Sequence, residues 1–529
     1  MRNTDFRIVA FIAALFFKFS CAEKEITDLT KESLIPIPVS VTATGSSFEL
    51  NENSAIYISG DSEELIGIGE YLADILRPST GYNLPVNSTS QAPSSGNIYI
   101  NLEGDEVLLG NEGYDLTITE DLITLSADQP AGLFYAVQTL RQLLPAKVEN
   151  NGKQEGPWKI STGNIIDYPN YTYRGSMLDV GRHFFGVEDV KRYIDLIAAF
   201  KMNVFHLGLT NDQGWRIEIK SWPKLAEIGG STEVGGGEAG FYTQEDYKEI
   251  VQYAAERYIT VVPEFDMPGH TNAALASYPE LNCDGKARDL YTGIEVGFST
   301  LCTDKEITYE FLDDVIGEIA AITPGPYFHI GGDESHVTPM EDYKPFIARA
   351  EEIVHKHGKS VIGWDEIAHA ELDPGSIAQV WARAENGKMA VDQGCKLILS
   401  PANKTYLDMQ YDSTTQLGLH WAAYVEIDSS YIWDPAKLYP GIGKENILGI
   451  EAPLWTETIT NMEEIEYMVF PRLPGIAEIA WSPASLRDWE TYKVRLGKFA
   501  SRFDNMDINY YASKQIPWVT DSDSLKTSN

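Results

Sequence analysis

The stretch 328–336 reads FHIGGDESH: an apolar run, two glycines, then Asp333 and Glu334 side by side. Adjacent residues have Cα atoms about 3.8 Å apart, so an ionised Asp333 raises the pKa of Glu334, and aromatic surroundings raise it further by desolvation. A glutamic acid kept protonated near neutral pH is a general acid. Alone, an Asp-Glu dipeptide is most often a solvated loop pair or a partner for Lys or Arg; at the end of a barrel strand its claim to chemistry is stronger. Gly331 and Gly332 permit a tight strand exit and close backbone approach. Glu264, Asp266, Asp365, Glu366, Glu451 and Glu457 also end apolar runs, and spacing does not choose a second acid among them.

Positioning such groups needs a scaffold, and the chain beyond residue 168 supplies a repeated one. Eight short apolar runs, GSMLDV, NVFHLGLTND, TVVPEFDMPGH, YFHIGGDESH, SVIGWDE, IAQVW, KLILSP and ILGIEAPLWTE, are mostly followed by helical patterns. In VEDVKRYIDLIAAF, Val187, Val190, Ile194, Ile197 and Ala198 fall at helical spacing, as an amphipathic crossover helix requires. The repeats predict an α/β fold with a (β/α)8 TIM barrel over 168–508, its acid pair just past the fourth strand. Every run except KLILSP leads into an acid, His, Asn or Trp, which points to one face. Residues 22–167 read as a smaller α/β domain, with strands AIYIS and NIYIN and helices SEELIGIGEYLADILR and PAGLFYAVQTLRQLL. Residues 509–529 read as a C-terminal tail, polar and frayed in SDSLKTSN.

Composition narrows the partners. With 41 Lys plus Arg against 78 Asp plus Glu, the net charge of −37 repels nucleic acid and anionic membranes. Neutral ligands such as sugars fit better, and 11 Trp and 28 Tyr offer faces for stacking. Residues 1–21 read as an export signal: two arginines, the apolar IVAFIAALFF, then KFSC ending at Cys21. That pattern resembles a bacterial lipoprotein signal, with Lys18 and Phe19 departing from it, so a periplasmic or cell-surface lipoprotein anchored at Cys21 is expected, with ordinary secretion as the alternative. Export permits disulfides; Cys283 and Cys302 bracket a glycine-containing segment suited to closure, while Cys395 in an apolar run reads as a buried thiol.

Seven motifs in order, YRGSMLDVGRHFF, DQGWRIEI, VPEFDMPGH, FHIGGDESH, IGWDE, YLDM and APLWTE, resemble glycoside hydrolase family 20 β-N-acetylhexosaminidases over nearly the whole barrel, and the N-terminal domain is similar to the one that precedes it there. The resemblance implies a retaining exo-enzyme without metal or other cofactor, acting on terminal GlcNAc or GalNAc of glycans, in which the substrate's 2-acetamido oxygen is the nucleophile in place of a second protein carboxylate. It implies that Glu334 is acid/base, that Asp333 orients the acetamido group and stabilises the oxazolinium-type intermediate, and that Tyr406 bonds the acetamido oxygen. Arg182, Asp408 and Glu457 would hold sugar hydroxyls, Trp364, Trp381 and Trp455 would box the acetamido methyl and ring, Trp421 would border the site, and His270 would support the acid/base. Each of these residues alone has a structural reading as salt bridge, core aromatic or loop acid.

One position departs from the pattern: Asn211 precedes Asp212 and Gln213 where two aspartates are usual, and Gly208 replaces a His. Asn211 and Asp212 are therefore supporting residues, and the lost charge is expected to weaken the field around His270 and Glu334. Related enzymatic and non-enzymatic rivals are release of an N-acetyl disaccharide, a glycan-binding protein on the same fold, and a metal hydrolase using His206, Asp266 and His270, although no HExxH spacing supports the last.

Overall fold

The computed structural model describes residues 26–519; the expected signal, with Cys21, and the segment from 520 onward lie outside the described residues. The N-terminal part forms one mixed sheet from β1 (Ser40–Leu50), β2 (Ile56–Ser59), β3 (Val86–Thr89), β4 (Asn97–Asn101), β5 (Tyr114–Ile118), β6 (Leu122–Ala127) and β7 (Trp158–Asp167). Its spatial order is β1-β7-β5-β6-β4-β2-β3. Helix 63–80 starts at Ser62, whose side chain accepts the Leu65 N–H, and stops at Gly81 in the left-handed region. Leu65, Ile68, Leu72 and Leu76 recur every three or four residues and are buried.

Strands β8 (Tyr173–Asp179), β9 (Val204–Gly208), β10 (Thr260–Glu264), β11 (Tyr327–His329), β12 (Ser360–Trp364), β13 (Ile377–Val380), β14 (Lys396–Leu399) and β15 (Ile447–Leu454) close into an eight-stranded barrel. All eight neighbouring pairs are parallel. Asp179 lies opposite Gly208, Gly208 opposite Glu264 and Glu264 opposite His329, so these strand ends finish level with one another. Each of the eight apolar runs is a barrel strand, and the crossover helix forms at Val187–Ala198, with Val190, Ile194, Ile197 and Ala198 buried. Among the described residues no helix is long and apolar enough to cross a membrane.

Buried charge locks the sheet domain to the barrel. Asp167, fully buried at the end of β7, takes the Lys201 ammonium at 2.9 Å, the Trp481 indole N–H at 3.0 Å and the Tyr114 hydroxyl at 2.7 Å. Removing one partner of a buried pair leaves an uncompensated charge, costing about 3–5 kcal/mol. Asp167→Ala is therefore expected to lower unfolding stability by that amount in urea melts. Residues 509–519, the described part of the expected C-terminal tail, pack on the body of the protein, while SDSLKTSN lies outside the described residues. Tyr511 stacks on Tyr411 at 4.0 Å and Ser513 and Ile516 are buried, because aromatic and apolar side chains here have barrel helices to cover.

Candidate active site

The acid pair stands at the mouth of the barrel, on the turn that leaves β11. Gly331 and Gly332 have φ of +64° and +100°. A Cβ on Gly331 would sit 1.9 Å from Asp266 Oδ1, so only glycine lets the turn pass over that carboxylate. Glu334 and His270 also take left-handed backbone, at φ +47° and +53°, strain of the kind that the surrounding fold sustains at functional sites. His270 lies between Asp212 and the pair: its Nδ1 is 3.5 Å from Asp212 Oδ2, and its Nε2 is 3.5 Å from Glu334 Oε2 and 3.6 Å from Asp333 Oδ2.

These groups border a cavity of about 190 Å³ lined also by Arg182, Trp381, Tyr406, Asp408, Trp421, Trp455 and Glu457. The structure thus gathers residues past β8, β11, β13 and β15 into one site, as the strand-end polarity implied, and adds Tyr406 and Asp408 past β14, the run whose end carried no such signal. Trp381 lies near-parallel to Tyr406, 17° between planes and 6.4 Å between centroids, and Trp421, more than half exposed, closes edge-on against both. Trp364 is placed deeper: it is buried 5.6 Å behind Trp455, with its indole N–H donated to Glu264 at 2.8 Å. The Arg182 guanidinium lies 4.6 Å over the Trp455 ring and 3.5 Å from Asp179. Arg182 Nε, Asp333 Oδ1 and Asp408 Oδ1 are buried and have no hydrogen-bond partner among the described residues. Buried polar atoms are normally satisfied, so three such atoms around one cavity call for a polar ligand.

The electrostatics reverse one expectation. Burial would lower His270, but Asp266, Asp212, Glu334 and Asp333 around it outweigh that and hold it well above the usual range, as imidazolium. Burial would raise Glu334, yet the His270 hydrogen bond and charge, with Arg182 and His336, bring it below the usual carboxylate range. Asp333 is the one pushed well above, by burial and then by the Asp266 charge. The pair's charges do diverge, in the opposite sense to that read from adjacency, because Asp333 is the more deeply buried and has Asp266, Glu334 and Glu264 around it, while Glu334, at the rim, faces His270, Arg182 and His336. Tyr406 is raised well above its ordinary value by burial, then by Asp333 and Asp408, so its hydroxyl remains a donor.

Asn211 supports its neighbour through a hydrogen bond. The carboxylate beside His270 belongs to Asp212, which is itself fixed by the Ser299 hydroxyl and the Asn272 N–H; Asn211 Oδ1 accepts the Asp212 N–H at 2.8 Å. The supporting charge is therefore intact. At Gly208 the space for a side chain is taken by the Met177 methyl, 2.9 Å from a would-be Cβ. Asn211→Asp is expected to move the limbs of the pH–kcat/KM profile by less than about half a unit, whereas Asp212→Asn, which strips a charge from His270, should lower kcat/KM by about tenfold to a hundredfold.

The residues of the metal-hydrolase reading separate. Asp266 and His270 lie with Asp333, but His206 lies inside the barrel, its Nδ1 2.8 Å from Glu451 and its Nε2 3.3 Å from Glu264. Cys283 and Cys302 form a disulfide and Cys395 is buried and free. The loop so closed carries Ile294 and Val296 onto the cavity wall, which the sequence reading missed although the apolar residues Leu290, Ile294, Val296 and Phe298 among three glycines were its signal. Glu366, which accepts the Trp381 indole N–H at 3.0 Å, was one of six undistinguished strand-end acids.

Comparison with known proteins agrees with this geometry. The model of glycosyl hydrolase family 20, catalytic domain, matches residues 171–344 and 335–484, and that of the family's domain 2 matches residues 31–168. A β-N-acetylhexosaminidase of Cellulomonas fimi is 40% identical over 92% of this chain and 97% of its own length. The family 20 β-N-acetylhexosaminidase structure from Streptomyces coelicolor A3(2) superposes with a TM-score of 0.90 at 53% identity, covering 94% of this chain and all of that one. A mutant Streptomyces plicatus β-hexosaminidase in complex with its product GlcNAc gives 0.90 at 52% identity, over 93% of this chain and 99% of that one. With barrel and preceding domain both matched, this chain is a glycoside hydrolase and belongs to glycosyl hydrolase family 20.

Proposed function

We propose that the enzyme releases terminal, non-reducing β-linked N-acetylglucosamine or N-acetylgalactosamine from glycans, with retention of configuration and with the substrate's own acetamido oxygen as nucleophile. The observation that carries this reading is the convergence of Arg182 Nε, Asp333 Oδ1 and Asp408 Oδ1, all without protein partners, on a cavity walled by Trp381, Trp455 and Tyr406. Unpaired polar atoms ask for hydroxyl and amide groups; indole faces ask for a ring and a methyl. At about 190 Å³ the cavity is smaller than the roughly 300–1,000 Å³ of drug-sized sites, which favours one sugar residue over a released disaccharide. The GlcNAc product held by the Streptomyces plicatus relative supports the same substrate class.

The residues divide the reaction between them. Glu334, at the rim, gives its proton to the glycosidic oxygen as the bond from that oxygen to C1 breaks, and the acetamido oxygen closes on C1 from the other face. Asp333 accepts the amide N–H and balances the positive charge of the resulting ring; the Tyr406 hydroxyl donates to the acetamido oxygen and aims it. Water then attacks C1 as the bond from C1 to the acetamido oxygen breaks and restores the amide, Glu334 takes the water's proton, and the two inversions leave the β configuration. Arg182, Asp408 and Glu457 hold ring hydroxyls, and Trp364 backs Trp455 from behind. Proton and nucleophile come from Glu334 and the sugar, so the steps call for no cofactor.

A panel of aryl β-glycosides with and without the 2-acetamido group tests this: turnover should depend on the amide, and equal cleavage of plain glucosides would refute it. We also propose that the protein is exported, with a lipid anchor at Cys21, a reading supported by the apolar stretch 8–17 and by the Cys283–Cys302 disulfide. Mass analysis of the mature N-terminus checks it; an unmodified peptide beginning elsewhere would remove the anchor.

A further inference from the structure

One buried acid at the site has no task in that scheme. Asp266, two residues past β10, is 6% exposed and is held beneath the turn that carries the acid pair. Its Oδ1 accepts the Gly332 N–H at 3.0 Å, its own N–H donates to Thr210 Oγ1 at 3.2 Å, and Gly331 clears the space its carboxylate fills. One carboxylate oxygen each of Asp266 and Asp333 and a ring nitrogen of His270 all lie within 4.8 Å of one another. An ionised carboxylate only accepts hydrogen bonds. Two carboxyls in such contact therefore hold a proton between them.

The surroundings agree. Facing the pair are Glu264 and His270 from the same segment as Asp266, and Glu334 next to Asp333. Arg182 past β8, Glu366 past β12, Tyr406 past β14 and Tyr343 of helix 340–356 face Asp333, and Asp212 past β9 acts through His270. Two cations, His270 and Arg182, stand against all these acids. Burial raises Asp266 to about 7, with the His270 charge opposing, and burial and then Asp266 raise Asp333 well above its ordinary range.

We propose that Asp266 is a positioning residue: it shares one proton with Asp333 in the free enzyme, and takes that proton onto its Oδ2 when the substrate's amide N–H docks on Asp333. The proton moves from one carboxyl to its neighbour and nothing else changes hands. Asp333 becomes the anion that the cyclic intermediate needs only when an amide is present to stabilise it. A sugar with a bare 2-hydroxyl does not drive the transfer, so the pair adds discrimination to that of the aromatic box. Loss of the shared proton at high pH sets two anions side by side beneath the turn and displaces Asp333, which closes the alkaline side of the profile.

This inference rests on the substrate-assisted reading, and its test separates the two. In Asp266→Asn the amide nitrogen is a permanent donor to Asp333, while the amide oxygen keeps the Gly332 bond. The alkaline limb of kcat/KM should then move up by about one pH unit, and kcat/KM at the optimum should exceed that of Asp266→Ala by about tenfold. An Asp266 that works as an anion gives the opposite sign, because removing its charge lowers the pKa of His270 and Glu334; a limb that moves down or stays in place overturns the proposal. Should Asp266→Asn not fold, the infrared difference spectrum of the parent on binding N-acetylglucosamine decides. A protonated-carboxyl band is expected before and after binding, and its absence from either state overturns the shared proton. Failure of the parent to distinguish 2-acetamido from 2-hydroxy glycosides would sink the reaction instead, since the band is read without turnover.

Discussion

Glu334→Gln loses about 10²–10⁴-fold in kcat on substrates with poor leaving groups, the range that general acid catalysis contributes, and far less on nitrophenyl glycosides whose leaving group departs unprotonated. Gln matches Glu in shape and keeps an acceptor, so ligand affinity is largely spared. Because His270, Arg182 and His336 hold Glu334 below the usual range in the free protein despite its burial, its proton must arrive with the substrate. A sugar that covers the rim strips water from a carboxyl whose side chain is 27% exposed, which raises its pKa. Profiles of kcat/KM report the free enzyme and those of kcat the complex, so the rise of Glu334 on binding should place the alkaline limb of kcat above that of kcat/KM in the parent, and Glu334→Gln should lose the part of that separation due to Glu334, leaving the limb that the Asp266–Asp333 pair sets. Steady-state kinetics across pH check both; unchanged turnover on a poor leaving group would remove Glu334 from its role.

Asp333→Asn exchanges the buried anion for a neutral amide at the point where positive charge develops. Preorganised electrostatic partners of this kind are worth about 3–4 kcal/mol, or 10²–10³-fold in kcat. The loss should appear on 2-acetamido substrates with good and poor leaving groups alike, because ring closure precedes any difference in how the aglycone is protonated. A thiazoline mimic of the cyclic intermediate should inhibit the parent strongly and the variant weakly, as transition-state-like ligands track lost stabilisation. Equal inhibition of both, or a glycosyl ester trapped on a side chain of the parent, would refute substrate assistance.

Much of this molecule is legible in one dimension. Period-2 and period-3.6 burial leave marks on neighbouring residues, so eight apolar runs and the helix Val187–Ala198 could be read as a barrel before any contact was known. The same holds for Gly331 and Gly332, whose backbone freedom is a property of the residue itself, and for Trp381 and Trp455, whose positions at strand ends bring them to one mouth; Arg182 and Tyr406 were marked by the family resemblance. The disulfide follows from two cysteines that flank a single loop.

Charge was not legible in this way. Asp333 is raised first by burial and then by Asp266, with His270 opposing and Glu334 and Glu264 adding; all of these but Glu334 lie more than sixty residues away in the chain and reach it only once β10 and β11 are paired. Adjacency alone therefore assigned the raised pKa to Glu334, and folding assigned it to Asp333. The same reason explains Asn211: a linear reading sees a missing aspartate, while the fold shows the needed carboxylate on its neighbour Asp212. Residue type and spacing along the chain determine which elements form and which groups reach the barrel's mouth; distances between carboxylates from different strands, and hence where the protons rest, exist only in the closed tertiary structure.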